Sequence, residues 1–271
     1  MERFLMINNE IRFENGKSSR VVSTDEWLAA RKQLLAKEKE FTRARDALNA
    51  ERRKLPWVKV EKEYVFDTPQ GRKPLAELFE GRSQLIVNHF MMGPGWKEGC
   101  VGCSFGADHI EGALVHLEHH DVSYVAVSRA PLAEIEPFKR RMGWKFRWVS
   151  SFGSDFNFDY HVSFTPEQIV GGRVYYNYDW REFNGDESAG LSVFYKDDAG
   201  QIFHTYSSYG RGNEELLGTY VHLDITPKGR NENGPGFNLT DWVRHHDRYD
   251  YGGFVDRTGR YVAITQADSR T

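Results

Sequence analysis

The fold is constrained most by an alternation of two kinds of segment in the middle of the chain. Residues 83–91 and 122–127 are apolar runs of strand length, and the shorter run 145–149 follows them. The segments between these runs, residues 107–120 and 131–142, carry apolar side chains at helical spacing. Mostly apolar runs are typical of strands that are covered on both faces. The alternation therefore predicts an α/β domain with parallel strands at the centre of its sheet.

A glycine-rich loop with both cysteines of the protein follows the first apolar run. Residues 99–104 read Gly-Cys-Val-Gly-Cys-Ser, which places Cys100 and Cys103 in a Cys-x-x-Cys motif. In folds of this class, sites lie beyond the carboxyl end of a central strand, at the start of the next helix. Two cysteines cannot build a disulfide framework, so in a reducing compartment the pair is predicted to be catalytic or metal-binding.

An amphipathic helix is predicted ahead of this domain. Ser23 and Glu26 have the spacing of a capping box, and Pro56 ends the helical pattern. The residues before the box, 1–22, show no period and are expected to form an extended leader. A solvated helix is the simplest interpretation, and a homodimer contact is the alternative. The apolar stripe of the helix consists of Trp27, Leu34, Phe41 and Leu48.

The rest of the chain is predicted to complete and cover the sheet. Residues 191–195 and 201–206 flank a turn and predict an antiparallel hairpin in the same sheet. Residues 213–223 predict a closing helix, and the aromatic, glycine-containing segment at about 150–186 predicts an insertion. Three regions result: an N-terminal leader and helix, an α/β domain and a loop-rich C-terminal extension. Their predicted bounds are 1–56, 57–225 and 226–271.

Several blocks of the sequence resemble a bacterial thioredoxin-like family known as domain of unknown function 899. The similarity extends from about Val22 to about Tyr249. It implies a peroxiredoxin-type thioredoxin-like fold, in which helices flank a central mixed sheet. It also implies that the protein is a dithiol-disulfide oxidoreductase in the bacterial cytoplasm, although it supplies no substrate. The blocks that carry the resemblance are residues 22–31, 35–40, 55–58, 61–66, 99–104 and 238–247.

The resemblance implies distinct roles for the two cysteines. A cysteine at a helix N-terminus ionises more readily than a free cysteine, whose pKa is about 8.5. Cys100 is therefore the expected nucleophile, and Cys103 is expected to resolve the mixed disulfide. The predicted reaction is thiol-disulfide exchange with a protein or small-molecule substrate, without a metal or other cofactor.

The residues around the motif are candidates for substrate binding. The ammonium group of Lys97 would favour a thiolate if it lay close by, and the alternative is a solvated side chain. Trp96 is expected to pack over the loop, and Ser104 is expected to donate a hydrogen bond or to cap the helix. Three further polar residues near the motif are expected to have hydrogen-bonded structural roles: His89, Asp108 and His109.

Three positions depart from better-known thioredoxin-like proteins. Thioredoxins place a proline before the hairpin strand, where this chain has residues 189–191, Ala-Gly-Leu. Peroxiredoxins place proline seven residues, and threonine or serine three residues, before the peroxidatic cysteine. The corresponding residues here are Gly93 and Lys97. These departures argue against thioredoxin-type docking and against efficient peroxide reduction.

Metal binding is the main rival for the cysteine pair. The spacing suits zinc, but a closed site needs two more ligands and the chain has no second cysteine pair. Helical spacing predicts that His116, His119 and His120 lie too far from Cys103 to help. A second group is predicted to serve surface packing, with a metal or substrate site as the alternative. It comprises His222, Asp224, His245, His246 and Asp247.

Charge and hydropathy exclude several classes of partner. The 36 basic and 39 acidic residues give a net charge of −3 without long blocks of one sign, which argues against nucleic acid. No apolar run approaches the roughly 18 residues of a membrane span, so a cytoplasmic location is expected. The alternative to an oxidoreductase is a non-catalytic ligand-binding or stress-response module. In that case the aromatic insertion, residues 152–178, would cover the ligand pocket.

Overall fold

The structure is a computed structural model. It describes residues 6–7, 10–12, 18–183, 185–230, 242–249, 253–255 and 261–263. Contacts divide the chain into two units, Met1–Leu55 and Pro56–Thr271. Within the described residues, no helix combines the length and the apolar character that a membrane span requires.

The first unit contains a small antiparallel sheet and one long helix. Its strands are β1 (Met6–Ile7), β2 (Glu10–Arg12) and β3 (Ser18–Arg20), a pairing that the sequence did not predict for the leader. Helix α1 (Thr24–Arg52) begins at the predicted capping box. The Ser23 hydroxyl accepts a hydrogen bond from the Glu26 N–H at 3.3 Å, and the Glu26 carboxylate accepts one from the Ser23 N–H at 3.1 Å.

The apolar stripe of α1 is exposed. None of the residues of the helix is buried, and Phe41 keeps 68% of its surface accessible. Mixed charges cover the rest of the helix, as in the ion pair of Arg31 and Glu38, whose Nη2 and Oε2 atoms lie 2.8 Å apart. The exposed stripe is compatible with both sequence-based interpretations, so the solvated helix and the homodimer contact stay predictions.

The second unit is built on a central sheet that begins with β4 (Val58–Lys59). A turn of 3-10 helix at Leu75–Phe79 follows the third of its strands. The other elements of the first half are β5 (Val65–Thr68), β6 (Gly71–Pro74), β7 (Gln84–His89), α2 (Val101–Ala107), α3 (Leu114–His119), β8 (Val122–Ser128), α4 (Leu132–Arg141) and β9 (Trp148–Ser150).

The second half contains the insertion, the predicted hairpin and the C-terminal elements. A second 3-10 turn, Gly210–Leu216, follows the hairpin. The elements are α5 (Phe156–Asp159), α6 (Pro166–Val170), β10 (Arg173–Tyr176), β11 (Asp179–Glu182), β12 (Gly190–Lys196), β13 (Ile202–Tyr209), α7 (Gly218–Asp224), β14 (Gly253–Val255) and β15 (Tyr261–Ala263).

The central sheet has the mixed topology that the sequence predicted. Its eight strands lie in the order β4-β13-β12-β7-β8-β9-β5-β6. Strands β7, β8 and β9 are parallel, while the hairpin β12–β13 joins β7 in antiparallel fashion. This is a thioredoxin-like α/β fold with helices on both sides of the sheet, which confirms the predicted fold class.

Side chains of β7 alternate between the two faces of this sheet. Leu85, Val87 and His89 are buried on one face, where Phe156 of α5 and the 3-10 turn at 75–79 contribute to the core. We call it the aromatic face. The opposite face, the cysteine face, is covered by α2 and α4. Its buried cluster includes Phe90, Cys100, Cys103, Phe138 and Trp148, with Ile86 of β7 packed against it.

Two predicted helices are divided in the structure. Residues 107–120 do not form one helix: α2 starts earlier and ends at Ala107, and α3 begins only at Leu114. The His109 ring lies 2.6 Å from the Phe105 carbonyl oxygen, so a side chain takes the place of the next helical N–H at the end of α2. The predicted closing helix 213–223 is likewise split at Leu217, whose backbone leaves the helical region.

The insertion and the C-terminal region contain more regular structure than predicted. Strands β10 and β11 form a separate hairpin, and β14 pairs with β15. Part of the predicted extension, 226–271, lies outside the described residues. Within residues 242–249, Val243 is buried against α2 and α7 with Val101, Phe105 and Tyr220. This segment therefore belongs to the core around α2.

Candidate active site

The backbone of Met91 holds both cysteines at the end of β7. The Cys100 N–H donates to the Met91 carbonyl at 3.0 Å, and the Met91 N–H donates to the Cys103 sulfur at 3.4 Å. Cys100 is the N-cap of α2, and Cys103 lies in its first turn. Both side chains are in the dithiol form and are buried, with 6% and 8% of their surfaces exposed.

Glycine is required immediately before the motif. A Cβ atom on Gly99 would lie 2.4 Å from the Phe90 ring and 2.8 Å from the Phe138 ring. Both distances are shorter than any normal carbon contact. The missing side chain therefore allows the cysteine loop to lie directly on the rings of Phe90 and Phe138.

The two thiols are electrostatically unequal. A hydrogen bond to Cys100 raises the pKa of Cys103 well above its usual value, and burial raises it further. Cys103 consequently keeps its proton, with Cys100 as its hydrogen-bond partner. Helix α2 has only seven residues, so its dipole adds little to this difference.

The structure brings two of the three predicted neighbours to the motif. Trp96 is half-buried and packs on the cluster that contains both cysteines. The Ser104 hydroxyl is fully buried and donates to the Cys100 carbonyl at 2.9 Å, a bond within the first turn of α2 that does not cap the helix. Lys97 is exposed, and among the described contacts no hydrogen bond or ion pair joins its ammonium group to either sulfur.

The other polar residues near the motif are held by hydrogen bonds. His89 lies on the aromatic face, away from the sulfurs, with Nε2 at 2.8 Å from the Ser192 hydroxyl. The Asp108 carboxylate accepts a hydrogen bond from the Trp144 ring at 2.8 Å. His109 contacts the Thr219 hydroxyl at 2.8 Å as well as its own helix.

A buried carboxyl group that the sequence did not single out borders the cysteine loop. Glu187 is 2% exposed; Arg129 donates to it at 2.5 Å and Ser163 at 2.8 Å. Burial raises the pKa of Glu187 to about 7, although the Arg129 charge opposes the shift. Its own charge contributes to the raised pKa of Cys103. Glu187 comes at the end of the predicted insertion, and no pattern in the sequence predicts that it lies beside the cysteine loop.

Residues 242–249 of the C-terminal region also bind to the cysteine loop. Glu98 forms ion pairs with Arg141 and Arg248. The buried His245 ring lies 3.0 Å from the Gly99 carbonyl oxygen through Nε2, and Arg141 donates to its Nδ1 at 3.0 Å. Since arginine can only donate, Nδ1 accepts, and the proton on Nε2 is given to Gly99. Burial lowers the pKa of His245, which favours this neutral form.

The group predicted around His245 is therefore divided between two places. His246 contacts the Asp108 carboxylate at 2.7 Å, and Asp247 pairs with Arg141 at 3.1 Å, so both lie near the cysteine loop. His222 instead contacts the Gly218 carbonyl at 2.6 Å, and Asp224 pairs with Arg230. Within the ranges that the structure describes, no cluster of three or more His, Cys, Asp and Glu residues has metal-binding geometry.

Two of the cavities among the described residues of this unit bear on function. One, of about 210 Å³, opens beside the sulfurs between α2, the start of β12 and the second 3-10 turn, and we call it the cysteine cavity. It is lined by Asn88, Cys100, Gly102, Cys103, Phe105, Gly106, Ala189, Gly190, Gly210, Asn213, Glu214, Leu217 and Tyr220. The second, of about 260 Å³, lies under the insertion and is lined by Asp159, Tyr160, His161, Tyr175, Asn177, Tyr178, His204 and Tyr209.

The sequence matches a bacterial family over most of its length. The family described as "Bacterial protein of unknown function (DUF899)" matches residues 16–249. The chain belongs to this family. The family assignment that the sequence blocks suggested is thus confirmed, and no curated protein matches this DUF899 chain at a significant level.

Solved structures that are similar to this DUF899 protein have low sequence identity. A peroxidoxin, BcpB, from Mycobacterium tuberculosis is 13% identical, with a TM-score of 0.36, over 61% of this chain and 95% of its own. A putative protein disulfide isomerase from Bacteroides thetaiotaomicron is 16% identical, with a TM-score of 0.36, over 62% and 89%. A peroxiredoxin Q from Xanthomonas campestris is 13% identical, with a TM-score of 0.36, over 58% and 90%.

Proposed function

We propose that the protein is a thiol-disulfide oxidoreductase with Cys100 as nucleophile and Cys103 as resolving cysteine. The observation that carries this proposal is that two buried, unbridged thiols lie where β7 ends and α2 begins, both held by the backbone of Met91. The hydrogen bond to Cys100 raises the pKa of Cys103, which supports Cys100 as the thiol that reacts first. A pair of this kind has a nucleophile and a second thiol already within reach of it.

The reaction proceeds by two successive exchanges. The Cys100 thiolate attacks one sulfur of a disulfide substrate, the substrate S–S bond breaks, and the departing thiolate takes up a proton. Cys103, after losing its proton, then attacks the Cys100 sulfur and releases the second substrate thiolate. The products are two substrate thiols and a Cys100–Cys103 disulfide, so two electrons pass from the protein to the substrate.

Glu187 is our candidate for the acceptor of the Cys103 proton. With a pKa of about 7, its carboxyl group is present in both protonation states near neutral pH, as a group that accepts and returns a proton must be. Arg129 and Ser163 fix its position through hydrogen bonds to separate oxygens. Its influence on the pKa of Cys103 indicates that the two groups act on each other.

The cysteine variants test the proposal directly. The reduced protein is mixed with a disulfide, and the products are identified by mass spectrometry. We expect the wild type to form the Cys100–Cys103 disulfide, Cys103→Ser to retain a mixed disulfide on Cys100, and Cys100→Ser to lose exchange. The double variant serves as the control for non-specific modification. If the wild type exchanges with none of several disulfides, the proposal fails.

The second cavity favours a second candidate function, the binding of a small organic cation. Four tyrosine and two histidine rings line it, and several meet edge to face, as Tyr160 and His204 do with a ring-plane angle of 88°. The cavity lining includes no lysine or arginine, and the carboxylate of Asp159, which also lines it, is already paired with Lys62 at 2.7 Å. Aromatic ring faces attract cations. Titration with choline, with its uncharged isostere 3,3-dimethylbutan-1-ol as control, tests this candidate; equal responses to both compounds would exclude it.

A further inference from the structure

The cysteine cavity has walls that permit close approach to the sulfurs. Gly102 and Gly106 of α2 form one side without side chains, and Gly190 and Gly210 form part of the opposite side. A Cβ atom on Gly106 would lie 3.7 Å from the Leu217 side chain, which is an ordinary contact distance. A methyl group added at Gly106 would therefore just fill the gap to Leu217 at this edge of the cavity.

The apolar residues of the cavity concentrate next to the thiols. Phe105, Leu217, Tyr220 and Ala189 complete the wall around Cys100 and Cys103. Polar side-chain groups come from Asn88, Asn213, Glu214 and Tyr220, and the amide of Asn88 already donates to the Tyr124 hydroxyl at 2.9 Å. A ligand in this position gains chiefly by burying apolar surface.

Charge in the cavity disfavours anions. Of the residues that line it, Glu214 carries a formal charge at neutral pH, and none is lysine, arginine or histidine. The Glu214 carboxylate is paired with Arg211 at 2.8 Å and with Arg230 at 3.1 Å, so these arginines already have a partner. An anionic substrate would leave water without gaining a cationic partner.

The burial of the sulfurs limits the size of the substrate. With 6% and 8% of their surfaces exposed, the two cysteines cannot meet a disulfide that is fixed on the surface of a folded protein. A disulfide that enters the cavity of about 210 Å³ can reach them. The size of the cavity, its apolar lining and its lack of a cationic residue thus all favour a small, uncharged substrate.

We propose that the cysteine cavity selects small, uncharged, largely aliphatic disulfides over glutathione disulfide and protein disulfides. The proposal rests on the proposed function and adds the chemical class of its substrate. The electron balance is that of the exchange described above: the substrate S–S bond breaks, two substrate thiols are released, and the protein dithiol becomes a disulfide.

Single-turnover kinetics with the full chain test this specificity without a recycling reductant. The reduced protein is mixed with lipoamide, bis(2-hydroxyethyl) disulfide, glutathione disulfide or insulin, and loss of protein thiols is followed after acid quenching. Each rate constant is divided by that of dithiothreitol with the same disulfide, which removes differences in intrinsic reactivity. We expect the two uncharged small disulfides to exceed glutathione disulfide and insulin by at least about tenfold on this normalised scale.

Matched glycine variants locate the selectivity in the cavity. Gly106→Ala adds a methyl group to the cavity wall, whereas Gly112→Ala adds one where no atom lies within 4 Å. We expect Gly106→Ala to slow lipoamide by several-fold and Gly112→Ala to leave its rate unchanged. Glu214→Gln removes the lining charge and the ion-pair partner of Arg211, whereas Arg230 keeps Asp224, so it should raise the glutathione disulfide rate relative to lipoamide.

The outcomes separate the specificity from the activity. Normalised rates for glutathione disulfide or insulin that equal those for lipoamide would overturn the substrate class while leaving the oxidoreductase in place. Equal effects of the two glycine variants would also overturn it, because the cavity would then not hold the substrate. Absence of exchange with all four disulfides would instead reject the proposed function itself.

Discussion

The two faces of the central sheet bury ionisable groups of opposite kinds. On the aromatic face, His89 and His204 are neutral because burial lowers their pKa values. Beside the cysteine loop, burial instead raises the pKa of the carboxyl group of Glu187 and that of the Cys103 thiol, although hydrogen bonding to Cys100 has the larger effect on Cys103. The two histidines should therefore lower the stability of the folded protein at acid pH, and Glu187 and Cys103 should lower it at alkaline pH.

The hydrogen bonds on the aromatic face form a chain of four side chains. His89 contacts the Ser192 hydroxyl at 2.8 Å, Ser192 contacts Ser207 at 2.8 Å, and Ser207 contacts His204 at 2.7 Å. On the cysteine face, the thiols line the cysteine cavity. The difference teaches that one strand, β7, supports a hydrogen-bonded structural network on one face and reactive thiols beside the other through side-chain alternation.

The largest expected effect concerns acid stability of the aromatic face. The pKa of His89 is about 3 in the folded protein and 6.5 for an ordinary histidine, so unfolding takes up a proton as the pH falls. The free energy of unfolding should therefore decrease as the pH falls from about 6.5 towards 3, by up to roughly 4 kcal/mol from this residue. Urea unfolding of wild type and His89→Gln over this range measures it; parallel pH curves would contradict the assignment.

The opposite pH dependence is expected beside the cysteine loop. The pKa of Glu187 is about 7 when folded and 4.5 for an ordinary glutamate, so the folded protein binds this proton more tightly. Its stabilising contribution is complete below about pH 4.5 and is lost as the pH rises through 7, by on the order of 3 kcal/mol. Glu187→Gln should flatten this part of the stability curve. In the same variant, the pH dependence of exchange near 7 should disappear.

A smaller effect is expected where the loop meets the core. Gly99→Ala places a methyl group within 2.4 Å of Phe90 and should destabilise the protein by about 1–3 kcal/mol through overpacking. It should also slow exchange, because Cys100 follows directly in the chain. Gly112→Ala, in open space, is the control for both measurements. A stable variant with normal exchange would show that the cysteine loop can move away from the Phe90 and Phe138 rings without loss of function.

The smallest expected effect separates the two faces. Ser192→Ala removes the central hydroxyl of the hydrogen-bonded chain and should cost about 1 kcal/mol of stability. The rate of thiol-disulfide exchange should remain unchanged, since this hydroxyl lies across the sheet from the sulfurs. Chemical denaturation and single-turnover kinetics on one preparation make the comparison. Slower exchange at unchanged stability would indicate coupling between the faces.

Local patterns in the sequence were sufficient for the sheet core and the motif. The apolar run that becomes β7, the capping box at Ser23 and the hairpin β12–β13 each depend on neighbouring residues, so their signals are contained within a few positions. The division of residues 107–120 was missed because it depends on a side-chain contact of His109 with Phe105 and on packing around α2. Periodicity does not report such contacts.

The sequence by itself determined the α/β class, the family and the position of Cys100 and Cys103 after a central strand. Only the tertiary structure decided that Glu187 and His245 border the cysteine loop, that Lys97 does not contact the sulfurs, and that a cavity accompanies the thiols. The physical reason is how far apart in the chain the interacting residues are. Strands, caps and turns are set by residues that are close in the chain, whereas burial, pKa values and cavity shape depend on groups that folding brings together from distant positions.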